Sequence, residues 1–451
     1  MKQQNDLGKD PIPTLVIKLA IPTMIAQFVN VLYAIVDRMY IGNIPKIGDT
    51  ALAGVGVCSP IITLLTSFGT LIGIGGSVLV SMRLGEKRIK QAQQILSNCF
   101  FMLIILSISL TVLFLLSKEK LLYWFGASSI TFPYANTFLT IYTFGTFFAL
   151  MALGMNYFII CQGYSTIGMC SVLIGAILNI LLDSIFIFIF HMEVAGAALA
   201  TVISQFVSCV FVLSFLFSKK SQIQISFSGY SLSIMKQVLS IGFSPFMILA
   251  TDNVLIIALN TILQKYGNTE GDMLIASATI VQSYMTLITA PMLGITSGTQ
   301  PLLSYNYGAK NEYRVQKGIQ TILIVCLLFT SIMFLASRFL PSYFVRLFTN
   351  DPNYIQLSIW GIKVFTLSII PLSLQYTFVD SLTALSATKV SLFLSLTRKS
   401  LFLLLTILLP LYFTARSAFY AEPLSDFIAS ILSTTIFLLV FKKHMKKRMS
   451  T

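Results

Sequence analysis

The feature that most constrains this chain is a recurring apolar segment of about 20 residues, the length a helix needs to cross the hydrocarbon core of a bilayer. Windows of that length place helices near residues 14–41, 51–82, 95–117, 134–160, 165–190 and 195–217. A second set falls near 236–264, 274–305, 318–340, 354–385, 391–413 and 418–441, giving twelve spans in 451 residues. Composition agrees, with 56% hydrophobic and only 10% charged residues, against about 25% charged in a soluble domain. In hydrocarbon no water satisfies the backbone, so the spans must be helices. The expected fold class is an all-α polytopic membrane protein.

The formal net charge of +14 invites a nucleic-acid reading, which the topology removes. Of the 30 Lys and Arg, 21 lie at the termini or in even-numbered connections, among them Lys2, Lys9, Lys18 and the closing Lys442, Lys443, Lys446, Lys447 and Arg448. This positive-inside bias predicts that both termini are cytoplasmic. The basic excess is then an orientation signal that adds attraction to anionic lipid headgroups. The six cysteines, Cys58, Cys99, Cys161, Cys170, Cys209 and Cys326, all fall inside predicted helices with no CxxC spacing. They read as small buried hydrophobes. Only His191 and His444 are present, so metal or histidine chemistry has little to build on. The polar N-terminus is unlike a cleaved signal, and the first span is expected to serve as the targeting element.

The chain also matches itself at an offset of 223: Pro22 with Pro245, Ala53 with Ala276, Thr63 with Thr286, Gly75 with Gly298, Ser81 with Ser304, Gly85 with Gly308 and Phe125 with Phe348. So many small and turn residues in one register imply a duplication. The expected division is an N-terminal six-helix half at 1–217, a cytoplasmic linker at 218–235 and a C-terminal half at 236–451. Two such pseudo-symmetric halves around a central cavity form a recurrent secondary-transporter plan.

Polar residues interrupt the apolar helices in stripes. Gln27, Asn30, Tyr33 and Asp37 share one face of the first helix, Asn179 and Asp183 one face of the fifth, and Thr201, Ser204, Gln205 and Ser208 one face of the sixth. Asn156 lies deep in the fourth. A charge at bilayer depth costs about 2.5–3.5 kcal/mol on insertion scales, so Asp183 is expected to have a task. Two buried acids close together would retain a proton near neutrality; alternatively, the oxygens of Asn179 and Thr201 with a carboxylate would ligate Na⁺. Either makes an ion switch, whereas the neutral polar residues serve equally well as glue between helices. In the second half Asp37 aligns with Asn260 and Asp183 with Thr406, while Asp252 and Asp380 stand elsewhere. These two acids would draw a cationic substrate, form a second ion site, or sit hydrated at helix ends. Pro22 removes a helical hydrogen bond and is a candidate hinge; an inherited bend shared with Pro245 explains it as well. Gly69 and Gly73, and the run Ala195–Thr201, suit close helix approach.

VDRMYIGNIPKIGDTALAGVGV, LNILLDSIFIFIFHMEVAGAALATVIS and GITSGTQPLLSYNYGAKNEYRV resemble the multidrug and toxic compound extrusion (MATE) family, in its DinF-type and MepA-like bacterial branch, across essentially the whole chain. The resemblance implies an antiporter that exports amphipathic, mostly cationic compounds in exchange for Na⁺ or H⁺ by alternating access. It implies an ion site at Asp37, Asn179, Asp183 and Thr201, a hinge at Pro22, and substrate-cavity residues Asn30, Tyr33 and Asn156. NorM-type members emphasise second-half acids; Asp380 falls near their helix-10 acid and Asp252 matches the helix-7 one loosely. The chain is therefore expected in a bacterial cytoplasmic membrane, as a monomer handling small organic molecules among lipids, without nucleic acid, enzymatic activity or any cofactor besides the coupling ion. Two rivals remain at this level. A flippase for a lipid-linked precursor would need basic residues, for which Lys363 and Arg398 are the candidates. A membrane enzyme using Asp37 and Asp183 as acid and base lacks any nucleophile or cofactor motif.

Overall fold

The computed structural model describes residues 5–267 and 270–450, which are almost entirely helical, with no strand among them. In order come α1 (Ile12–Gly42), α2 (Gly48–Gly85), α3 (Ile89–Trp124), α4 (Phe132–Phe144), α5 (Thr146–Ile160) and α6 (Ser165–Ser184), the last running into a π-helical turn at Ile185–Ile189. They are followed by α7 (Glu193–Phe217), α8 (Leu232–Gly267), α9 (Gly271–Gly308), α10 (Glu312–Phe339) and the short α11 (Pro341–Val345). A 3-10 turn at Thr366–Ser368 joins α12 (Pro352–Phe365) to α13 (Ile369–Ala384). After α14 (Thr388–Tyr412), a second 3-10 turn at Ala415–Tyr420 leads into α15 (Ala421–Ser450).

Among the described residues, eleven helical stretches are long and apolar enough to cross a membrane, and α4 with α5, bent by 56°, makes a twelfth. Each expected span has its helix. The single span read at 134–160 is broken at Gly145, whose backbone runs so close to α7 that a Cβ would stand 2.5 Å from Val202. Outer faces are apolar, as lipid requires: Ile324, Leu328, Ile332 and Leu335 recur on one face of α10 and are all exposed.

The contacts sort into two compact units. Unit 1 comprises the segment ending at Asp10 together with Ile25–Leu249. Unit 2 comprises Pro11–Met24 and the chain from Ala250 onward. In unit 1 the glycine pair on α2 is seated on α5: a Cβ at Gly73 would lie 2.9 Å from the carbonyl oxygen of Gly154. Without a hydrophobic drive between helices in lipid, such backbone approach is a main source of packing energy. The linker is held down, because Asn98 donates to Gly229 O at 3.0 Å and accepts from the Ser231 amide at 2.8 Å. Gln162 likewise accepts from Ser221 and from the Ile223 amide.

The first part of α8 belongs to unit 1, where Gly242 abuts Gly75 of α2. The first part of α1 belongs to unit 2, where Thr23 abuts Gly298 of α9; a Cβ at Gly298 would lie 2.6 Å from the Thr23 Cβ. Gly75 and Gly298 are equivalent at the offset of 223, so each unit repeats one packing motif. Helix ends repeat too. Lys87 and Lys310 both adopt positive φ, 61° and 56°, beyond α2 and α9. The amides of Arg88 and Asn311 then reach back to Arg83 O and Asn306 O, at 2.8 and 2.9 Å. Gly163 and Ser386, another pair at this offset, end α5 and α13 in the same left-handed way.

Candidate ion and substrate site

In unit 1, α6 presents Asn179 and Asp183 one turn apart, facing α1 and α7. Asp183 is 0% exposed, and neither carboxylate oxygen has a hydrogen-bond partner. The π-helical turn follows within two residues, a local widening found often at functional positions. Asp37 of α1 is within interaction distance of Asp183, and its Oδ1 is likewise buried and unpartnered. Tyr33, one turn before Asp37, is within electrostatic reach of both acids and of Tyr142 on α4. On the α7 side Asn179 Nδ2 donates to Thr201 Oγ1 at 3.3 Å, while Thr201 donates to Ala197 O at 3.0 Å. That leaves Asn179 Oδ1 buried without a donor. Gln205 Nε2 donates to the Tyr142 hydroxyl at 3.3 Å, leaving Gln205 Oε1 in the same condition.

The unpaired atoms share one chemistry. Asp37 Oδ1, both oxygens of Asp183, Asn179 Oδ1 and Gln205 Oε1 are acceptors deprived of a donor. An ionised carboxylate only accepts, and an orphaned buried acceptor costs about 1–3 kcal/mol, more when charged. A proton held between the carboxyls relieves part of that deficit, and a small cation ligated by several of the oxygens relieves more. Asn30 is half-buried on α1, two turns before Asp37. Asn156 does not join the acid pair: its Oδ1, also unpartnered, lies by Gly168. Gly168 is 15 residues from Asp183 along α6, about 22 Å at 1.5 Å per residue. The helix of α1 continues through Pro22, with Thr23 bonding back to Leu19 O at 2.8 Å.

Unit 2 carries a different arrangement, most of it unread in the sequence. Asp252 of α8 is ion-paired with Lys399 of α14. Asp380 of α13 accepts a short hydrogen bond from Thr296 and interacts with Gln300, both on α9. Arg398 binds Asp426 at 2.7 Å and lies 3.7 Å from Glu422, both on α15. Two bases thus lie inside the apolar run of α14, Lys399 buried and Arg398 half-buried. Lys399, Glu422 and Asp426 were missed, although charges inside apolar runs such as VSLFLSLTRKSLFLLL were the available signal. Counted in the cytoplasmic tally, Arg398 and Lys399 lie ten and eleven residues into α14. Lys363 is exposed. Among the described residues no three His, Cys, Asp or Glu side chains cluster as metal ligands.

Eleven to twelve helices able to span a membrane among the described residues, with two acids brought together between α1 and α6, are the build of a membrane transporter. The sequence model of the MatE family matches residues 22–185 and 249–408, once in each repeat, and the chain belongs to that family. Among curated relatives, it is 24% identical to the multidrug export protein MepA of Staphylococcus haemolyticus, over 89% of this chain and 86% of that one. To MepA of Staphylococcus saprophyticus it is 26% identical, over 81% of this chain and 80% of that one. The fold matches a multidrug resistance MATE family transporter of the MOP superfamily in an outward-facing conformation, with a TM-score of 0.91 at 19% identity, covering 99% of this chain and 100% of that one. A MATE P26A mutant matches with a TM-score of 0.92 at 19% identity, covering 98% and 100%.

Proposed function

We propose that the protein is a secondary active antiporter that exports amphipathic, cationic small molecules in exchange for Na⁺ or H⁺. The observation that carries the reading is the set of donor-starved oxygens around Asp183, buried at 0% exposure among apolar helices. Such a site gains a stabilising partner each time it loads and regains its deficit each time it empties. Loading therefore biases the packing of α1, α6 and α7, and alternating access follows if the loaded and empty packings open to opposite sides. Downhill return of the ion supplies about 2.3 kcal/mol per charge per 100 mV from the membrane potential alone.

In this reading Asp37 and Asp183 hold the ion, with Asn179 and Thr201 completing the oxygen set and Tyr33 at its edge. Family membership and the MepA relatives, named as multidrug exporters, support the substrate class, and the bacterial relatives support a bacterial membrane. The test is efflux of a cationic dye from proteoliposomes under an imposed Na⁺ gradient, then an imposed pH gradient. One of the two should drive efflux in the native protein and neither in Asp183→Asn. The flippase reading loses its support in the basic residues, since Arg398 is already bound by Asp426 and Glu422.

A further inference from the structure

Arg398 stands in the middle of an apolar helix, yet its surroundings are those of a bound cation. Its Nη1 meets Asp426 Oδ1 at 2.7 Å and Glu422 Oε1 at 3.7 Å, and its guanidinium lies over the Tyr376 ring, 5.9 Å from the centroid. Asp426 is 0% exposed and the Arg398 side chain only 13%. Lys399, the next residue, is ion-paired with Asp252 and also lies within electrostatic reach of Glu422 and Asp426. Consecutive residues on a helix differ by about 100°, and it is Arg398 that makes the direct contacts with Asp426 and Glu422. Three carboxylates thus face two bases, and Asp426 Oδ2 remains buried without a partner. An aromatic face with two acids is the chemistry that recognises free organic cations.

We propose that Tyr376, Glu422 and Asp426 form a cation-binding site for which the guanidinium of Arg398 is the resident ligand. The arginine is a built-in competitor. It keeps the site filled in the native protein, and its planar fork defines the ligand class the site accepts, guanidinium and amidinium groups ahead of simple alkylammonium ions. Equivalent positions in the first repeat, at the offset of 223, are Gly175 for Arg398 and Leu199 for Glu422, so this site belongs to the second repeat alone.

Chemical rescue tests it. Purified Arg398→Ala is unfolded thermally while methylguanidinium is titrated in the millimolar range, with methylammonium and urea as controls. A rise in Tm of several degrees with methylguanidinium, absent with urea and absent in the native protein, is the expected result. Equal responses to urea and methylguanidinium, no response to either, or the same response in the native protein overturns the proposal. If Arg398→Ala gives no folded protein, membranes are extracted with and without methylguanidinium. Recovery only in its presence supports the site, and equal yields, including none in either, refute it. The readout is binding rather than transport, so its failure is separable from a failure of ion coupling at Asp183.

Discussion

Asp183→Asn changes charge while keeping shape, and the structure sets what should follow. The native carboxylate is fully buried with both oxygens unpaired. The new amide is neutral and brings two N–H donors beside Asp37, whose own Oδ1 lacks one. Removing a charge worth about 2.5–3.5 kcal/mol at bilayer depth, and satisfying an acceptor worth about 1–3 kcal/mol, should stabilise the ion-free protein by roughly 1–3 kcal/mol after partial relaxation. Function should move the other way. With no ion exchanged at this site, gradient-driven efflux should be lost; for one charge returning per cycle the membrane potential's share alone is about 2.3 kcal/mol at 100 mV, roughly 50-fold in the sustainable dye gradient. Two assays read these terms: thermal unfolding in detergent with the coupling ion titrated, and gradient-driven efflux from proteoliposomes at matched protein content. The native Tm should climb with the ion, by the equivalent of about 2.7 kcal/mol at one hundred times Kd, and the variant's Tm should start higher and stay flat. Undiminished gradient-driven efflux, or an unchanged ion-dependent rise in Tm, would refute the reasoning.

Three further outcomes are expected. Gly75→Val and Gly298→Val each push a side chain into backbone or Thr23 atoms already in contact, so each should cost about 1–3 kcal/mol or more and lower the folded yield in detergent. Thr296→Val removes the hydroxyl that donates to Asp380 and should cost about 1–3 kcal/mol in thermal unfolding, with Thr296→Ser largely restoring it. Pro22→Ala returns an amide donor to the interior of α1 and should raise Tm; if the proline is a hinge, turnover falls in the same variant, and an unchanged turnover would assign it to structure alone.

The spans were legible because hydrophobic length is a local property, readable within each window of the chain. Legible too was the unit 1 acid pair, since Asp183 is isolated in apolar sequence and Asp37, though followed by Arg38, continues a polar spacing on its own helix. The bend at Gly145 was not, because it depends on Val202, far along the chain. The ionic network of unit 2 escaped for the same reason. Its pairings join Asp252 to Lys399 and Arg398 to Asp426, and no periodicity within one helix tells which of two adjacent bases meets which acid. The roles open to Asp252 from sequence, drawing a cationic substrate, forming a second ion site or sitting hydrated at a helix end, did not include an ion pair, yet a buried lysine holds it. Asn156 shows the converse: depth in a helix marked it as polar and buried, yet said nothing about its distance from the acids.

The glycine contacts at α2 and α9 bear on how such a chain can be divided. A fragment ending at Phe217 carries Gly75 but not the Val238–Gly242 turn that covers it, and a fragment beginning at Leu232 carries Gly298 but not Thr23. Each piece of a bisected gene would therefore be born with a bare backbone furrow that only its sibling's leading helix fills. Coexpressed fragments should survive together, and either one made by itself should be cleared by proteolysis.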